Sequence, residues 1–187
     1  MKTQTLLATA LLAFAATASA QTYGVLSVGS ATLNVDCSGT TTCDKTDTAV
    51  KLIGGYRFSP NLAVELGYFD FGKAKATDAG VTAEIGNTAL GVGLAVHQDI
   101  NPSWNFVARL GAAQMKTKIS GSVIGLGSGS DSDNNIVAYG GLGIGYKISK
   151  SVTLGAAWDF SKSKYTKQGL SESGNLNAYG VNLTFDF

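Results

Sequence analysis

Strict alternation at the end of the chain limits the fold more than any other feature. Tyr179, Val181, Leu183, Phe185 and Phe187 share one face of a segment; Ala178, Gly180, Asn182, Thr184 and Asp186 share the other. Successive side chains of a strand point to opposite sides, so the pattern describes a strand with one greasy and one polar face. The scheme recurs upstream. Val152, Leu154, Ala156, Trp158 and Phe160 alternate with Thr153, Gly155, Ala157, Asp159 and Ser161. Trp104, Phe106, Ala108 and Leu110 oppose Asn105, Val107, Arg109 and Gly111, and Leu90, Val92, Leu94 and Val96 oppose Gly91, Gly93, Ala95 and His97.

Short connections with turn chemistry separate some of these runs: Ser59-Pro60-Asn61, Asp99-Ile100-Asn101-Pro102-Ser103 and Ser149-Lys150-Ser151. The others are longer and polar, from Asn34 to Thr48, Lys73 to Gly86, Thr117 to Asn135 and Lys162 to Gly174, and read as loops. Counting between them gives eight strands, at 22–33, 49–58, 62–72, 87–98, 104–116, 136–148, 152–161 and 175–187. Most reach the length of about 9–11 residues that a tilted strand needs to cross a bilayer. The count is even, both chain ends fall on the short-turn side, and short turns alternate with long loops, as in outer-membrane barrels. In the first strand Tyr23 and Val25 alternate one way and Leu26 and Val28 the other, which predicts a bulge or a shifted face. Gly55 to Leu62 also echoes Gly145 to Val152, as a repeated strand–turn–strand unit would.

The start of the chain reads as an export signal. Met1-Lys2 is a short positive head, Leu6 to Ala16 an apolar run, and Ala18-Ser19-Ala20 a small-residue cleavage site before Gln21. The expectation is a cleaved segment 1–20 and a mature barrel domain 21–187. Export to an oxidising compartment predicts a disulfide between Cys37 and Cys43, bracing a small polar loop. A metal site would want more Cys or His nearby. The net charge of +1 gives no electrostatic reason to expect nucleic acid.

A soluble lipocalin-like barrel also alternates, so the composition of the two faces decides the orientation. One face carries Leu, Val and Ile with aromatics near the ends: Tyr56, Phe58, Trp104, Tyr146, Trp158, Tyr179, Phe185 and Phe187. That is a lipid-facing band with aromatic girdles. The other carries small residues with Lys51, Arg57, Glu65, Arg109, Lys147, Asp159 and Asp186. Inside an eight-stranded barrel these fill a narrow lumen, with Gly91, Gly93, Gly111, Gly141, Gly143 and Gly145 making room for Arg and Lys. The expected fold is all-β: an eight-stranded antiparallel up-and-down transmembrane β-barrel.

Gly54 to Tyr68, Ala138 to Tyr146 and the ending Ala178 to Phe187 resemble elements of the OmpA-like small outer-membrane β-barrel family. The resemblance covers the mature chain and implies architecture, not a reaction. The terminal Phe187 resembles the signal read by the outer-membrane assembly machinery, which is therefore an implied partner. Larger relatives carry a peptidoglycan-binding domain that these residues do not match, so anchoring to peptidoglycan is not implied.

The inward ionisable residues are the candidate site: Lys51, Arg57, Glu65, His97, Arg109, Lys147, Asp159 and Asp186. Such groups are costly in a membrane unless paired or wetted. They read either as a structural plug of ion pairs or as a gate passing small ions. His97 lies near the turn end, away from where outer-membrane lipases pair a histidine with serine, so a structural role is expected. Gly141-Leu142-Gly143-Ile144-Gly145 lies within an alternating strand with no helix after it, which excludes a dinucleotide loop. Asp131-Ser132-Asp133 reads as a solvated loop tip. The expectation is a monomeric non-enzyme without cofactor that stabilises the membrane and presents loops to lipopolysaccharide, host or matrix. A low-conductance pore is the alternative, and a lipid-modifying enzyme ranks last.

Overall fold

The computed structural model describes residues 21–34, 41–79, 81–123, 127–167 and 170–187; of residues 123, 164–167 and 170–173 it describes the backbone alone. The export segment and Cys37 lie outside the described residues. The strands are β1 (Thr22–Leu33), β2 (Thr42–Asp44), β3 (Thr46–Arg57), β4 (Leu62–Asp78), β5 (Val81–Asn101), β6 (Trp104–Val123), β7 (Gly127–Lys147), β8 (Val152–Lys167) and β9 (Leu170–Asp186). From β3 to β9 each strand pairs antiparallel with the next in the chain, β1 pairs with both β3 and β9, and β4–β5 completes the circuit. Eight strands therefore close on themselves, with β2 a short extra rung beside the far part of β4. Closure leaves no strand edge along the paired region, which a lipid-exposed sheet requires.

The ladders reach well past the expected strand ends. β5 and β6 pair from Asn101↔Trp104 to Val81↔Val123, and β6 and β7 from Trp104↔Tyr146 to Val123↔Gly127. Most of the segments read as long loops are thus strand extensions. They are rich in Ser, Thr, Asn and Gly, without apolar periodicity, and backbone ladder bonds alone suffice to extend them. For the same reason Asp131 and Asp133 sit in β7, opposite Ile119 and Thr117, rather than at a solvated tip.

Neither the bulge nor the shifted face offered for β1 is present: its register to both neighbours is unbroken from Tyr23 to Thr32. Tyr23 and Val25 simply face inward and Leu26 and Val28 outward. The irregularity sits in β4 between Asp70 and Lys73. There Gly72 adopts a φ of 66°, a left-handed conformation that favours glycine, and its N–H bonds Asp70 Oδ1 at 3.0 Å.

The internal echo is structural. In one turn Phe58 N–H and Ser59 N–H both donate to Leu62 O; in the other Ile148 N–H and Ser149 N–H both donate to Val152 O. The third turn is shorter than expected, because β5 continues to Asn101. Asn101 Oδ1 accepts from Ser103 N–H and Trp104 N–H, both at 2.9 Å.

Candidate functional site

Burial separates the two faces of the wall. Leu26, Leu52, Leu66, Leu90, Val92, Leu94, Leu110, Ile144, Leu154 and Val181 all point outward and are exposed, whereas Lys51, Glu65, His97, Arg109 and Asp159 are buried within the ring. Large apolar groups outside and ions inside invert the order of a soluble barrel, and only an apolar surrounding makes that arrangement favourable.

The outward aromatics form two belts. Tyr56, Phe58, Trp104, Tyr146, Phe185 and Phe187 ring the short-turn end, with Trp104 edge-on to Tyr146 at 5.2 Å. Trp158 and Tyr179, paired across β8–β9 and stacked at 6.2 Å, lie further up the strands. Tyr68 and Phe160 join this second belt and were missed, although alternation from Val64 and from Trp158 marks both as outward.

All eight candidate residues point into the lumen, and seven of them form ion pairs there, Lys147 with an acid from outside the set. Nearest the turns, Arg57 Nη1 meets Asp186 Oδ1 at 2.6 Å, and Lys147 Nζ meets Asp99 Oδ2 at 2.7 Å. Asp99 was not anticipated, because it was assigned to a turn. Arg57 and Lys147 hold equivalent places in the two echoed units, and each reaches past one strand to its acid: Arg57 over β1 to β9, Lys147 over β6 to β5.

Deeper in, Arg109 Nε donates to both oxygens of Glu65, at 2.9 and 3.1 Å. Tyr23 hydroxyl donates to Glu65 Oε1 at 2.6 Å and stands 3.0 Å from His97 Nε2. Since the tyrosine proton goes to Glu65, Nε2 carries a proton and donates it to the Tyr23 oxygen. Arg57 lies over the Tyr23 ring at 4.4 Å. Tyr23 therefore touches three of the candidate residues, Glu65, His97 and Arg57, and it was missed because β1 is largely apolar on both faces. Lys51 pairs with Asp159 higher in the lumen, both largely buried. Buried ions need such direct partners.

Above the charges the lumen is apolar, which was not expected. Phe69 stacks on Phe71 at 5.9 Å and tilts against Tyr139 at 5.1 Å. Met115, Val137, Leu33 and Leu176 are buried with them. Beyond this layer Asn87 Oδ1 accepts from Thr117 Oγ1 and Ser163 Oγ, both at 2.9 Å.

The inward glycines serve a different purpose from the one expected. A methyl at Gly93 or Gly111 would strike the Tyr139 ring or hydroxyl; one at Gly141 would strike the Asp159 carboxylate; one at Gly145 would strike Asn105 and Thr153. At Gly91 it would meet Ala113 and Tyr139 at 3.0 Å. Among these positions only Gly143 opens toward a basic side chain, 3.9 Å from Arg109 Nη1. Tyr139 fills the space at Gly91, Gly93 and Gly111, and Asp159, Asn105 and Thr153 fill that at Gly141 and Gly145.

Cys43 is not a free thiol, but Cys37 lies outside the described residues. Among the described residues no cluster of three His, Cys, Asp or Glu stands ready to hold a metal ion.

Comparison with known proteins agrees with this geometry. No curated protein matches the chain. Among solved structures, Neisserial surface protein A (NspA) superposes with a TM-score of 0.63 at 13% identity, covering 90% of this chain and 98% of that one. Ail, the attachment invasion locus protein of Yersinia pestis, gives 0.54 at 17% identity, covering 88% and 99%. The outer membrane protein OprG from Pseudomonas aeruginosa gives 0.50 at 14%, covering 89% and 97%. Identities this low carry the fold alone. The family described as outer membrane protein beta-barrel domain matches residues 5–187. The chain belongs to this family, and it is an integral β-barrel protein of the Gram-negative outer membrane.

Proposed function

We propose that the protein is a non-enzymatic structural and interaction protein of the outer membrane, which supports envelope integrity and presents its strand extensions to lipopolysaccharide, host or matrix. One observation carries this reading: the lumen is filled by direct ion pairs below and by the Phe69, Phe71 and Tyr139 layer above. A lumen packed this way braces the wall and offers no wide path to solutes. The Ail structure in complex with the heparin analogue sucrose octasulfate makes an anionic glycan a reasonable ligand class for the loops. The reading includes removal of residues 1–20, a bridge between Cys37 and Cys43, assembly through the terminal Phe187, and a monomeric state.

A second reading is a low-conductance pore gated by Glu65, Arg57, Arg109 and Lys147. It is favoured by inward polar atoms with no hydrogen-bond partner among the described residues, including His97 Nδ1, Asn105 Oδ1 and Asn182 Oδ1. A lipid-modifying enzyme is a third and weaker reading, since the Tyr23 hydroxyl beside His97 is already engaged by Glu65. Planar-bilayer recordings of wild type and Glu65→Ala separate the first two. Wild type is expected at baseline; discrete channel events that change in Glu65→Ala would favour the pore. Lipid A profiling of a deletion strain tests the third.

A further inference from the structure

The outward side of the wall changes character where β4 to β7 leave the lipid band. Tyr68, Leu90 and Ile136 share one rung with Gln114 and are the last large apolar residues on that side of these strands. By the pleat, the next outward rungs run through Thr88 and Lys116, then Gly86 and Lys118, then Glu84 and Ser120. β4 joins this face through its bulge. Between Asp70 and Lys73 it advances three residues while β5 advances two, from Thr88 to Gly86, which reverses its parity. Lys73 and Lys75 thereby turn outward beside Gly86 and Glu84. The Lys73 stem lies over bare Gly86, where a methyl would sit 3.4 Å from Lys73 Cγ.

The Gly86 rung therefore carries a lysine on each side, Lys73 on β4 and Lys118 on β6, two strands or about 10 Å apart at the backbone. Lys116 stands one alternation below Lys118, and all four lysines are exposed. Lys116 and Lys118 form no ion pair or hydrogen bond among the described residues, whereas Lys73 and Lys75 both lean on Glu84, at 3.6 and 3.7 Å. Asp70, the other acid on these rungs, accepts the Gly72 N–H. Gly86 lies four residues past Leu90, about 13 Å along the strand and roughly 10 Å in height at the usual barrel tilt. That exceeds the headgroup layer of a bilayer, about 5–7 Å on each side. No outward residue on these rungs is apolar or aromatic, so nothing seats acyl chains, anchors a protein interface or stacks a nucleobase.

We propose that the outward face of the β4–β7 extension, built on Lys73, Lys116 and Lys118 around bare Gly86, binds a linear sulfated glycan. The ammonium groups pair with its sulfates, and the side chains of Thr88, Ser132 and Asn134 between them meet its hydroxyls. Glu84 holds Lys73 and Lys75 on the empty face and competes with the sulfates for them. Flatness suits a chain that lies across strands, and the bare rung at Gly86 lets it approach the backbone. The site rests on the proposed anionic-glycan reading and moves that contact from loop tips to one sheet face.

The test uses the purified protein in an uncharged detergent and follows the anisotropy of a fluorescent heparin octasaccharide, with its desulfated counterpart as a second probe. Wild type should bind the sulfated probe, more weakly as salt rises, and ignore the desulfated one. Lys116→Gln with Lys118→Gln should weaken binding about tenfold, at roughly threefold per exposed ion pair. Glu84→Gln removes the competing acid and should tighten binding about threefold. Lys150→Gln, in a periplasmic turn, should bind as wild type does, and heat-modifiable gel mobility checks that every variant is folded. Equal binding by the double lysine variant, or no gain in Glu84→Gln, would overturn this site and leave the glycan reading to another surface. Equal binding of the desulfated probe, binding of neither, or tighter binding of single-stranded DNA or polyglutamate of matched charge would overturn both.

Discussion

Tyr23 and Glu65 are 42 positions apart in the chain, yet the tyrosine hydroxyl lies 2.6 Å from the carboxylate inside the lumen. The same carboxylate takes both bonds from Arg109 Nε, so one acid holds together strands β1, β4 and β6. His97 from β5 then donates to the oxygen of Tyr23. Removing the tyrosine hydroxyl leaves an ion pair; removing the acid leaves a buried cation. The two losses differ in kind.

Tyr23→Phe is therefore expected to destabilise the barrel by about 1.5–3 kcal/mol, the cost of one buried hydrogen bond with a charged acceptor. Glu65→Ala should cost about 3–5 kcal/mol, because Arg109 is left buried and uncompensated. Urea unfolding in lipid vesicles, followed by heat-modifiable gel mobility, measures both. The double variant Glu65→Ala with Arg109→Ala should cost less than the two single changes added together.

The glycines make a second set of predictions. Gly111→Ala drives a methyl into the Tyr139 ring and the backbone of β5, and should cost about 1–3 kcal/mol. Gly121→Ala, with nothing within 4 Å, should stay within about 0.5 kcal/mol of wild type. The same unfolding assay compares them.

Processing and oxidation can be read chemically. N-terminal sequencing of protein recovered from outer membranes should begin at Gln21. Iodoacetamide should label Cys37 and Cys43 only after reduction, and labelling without reductant would remove the bridge.

Much of the fold was legible because lipid imposes a simple rule on each strand: the outward set must be apolar, so period two survives in the residues themselves. Where lipid no longer touches the wall the rule lapses. The extensions of β6 and β7 from Thr117 to Asn135 are polar on both faces, and only backbone bonding reveals them as strands. In the lumen the charges stood out, since Arg109 and Glu65 interrupt apolar runs. The aromatic layer did not, yet parity carried on from Glu65 would have turned Phe69 and Phe71 inward. Tyr23 was hidden by β1, where Val25 faces in and Leu26 faces out, so neither face looks polar. Which acid serves which base depends on a register that spans several strands, and no local pattern encodes it.

The whole account depends on which face meets the acyl chains. Tryptophan placed at Leu110, outward and 69% exposed, or at Val107, buried in the lumen, in a background where Trp104 and Trp158 are Phe, reads this out. In vesicles containing brominated lipid, the Leu110→Trp protein should lose most of its fluorescence and the Val107→Trp protein little. Equal quenching of both, or stronger quenching at position 107, would contradict it.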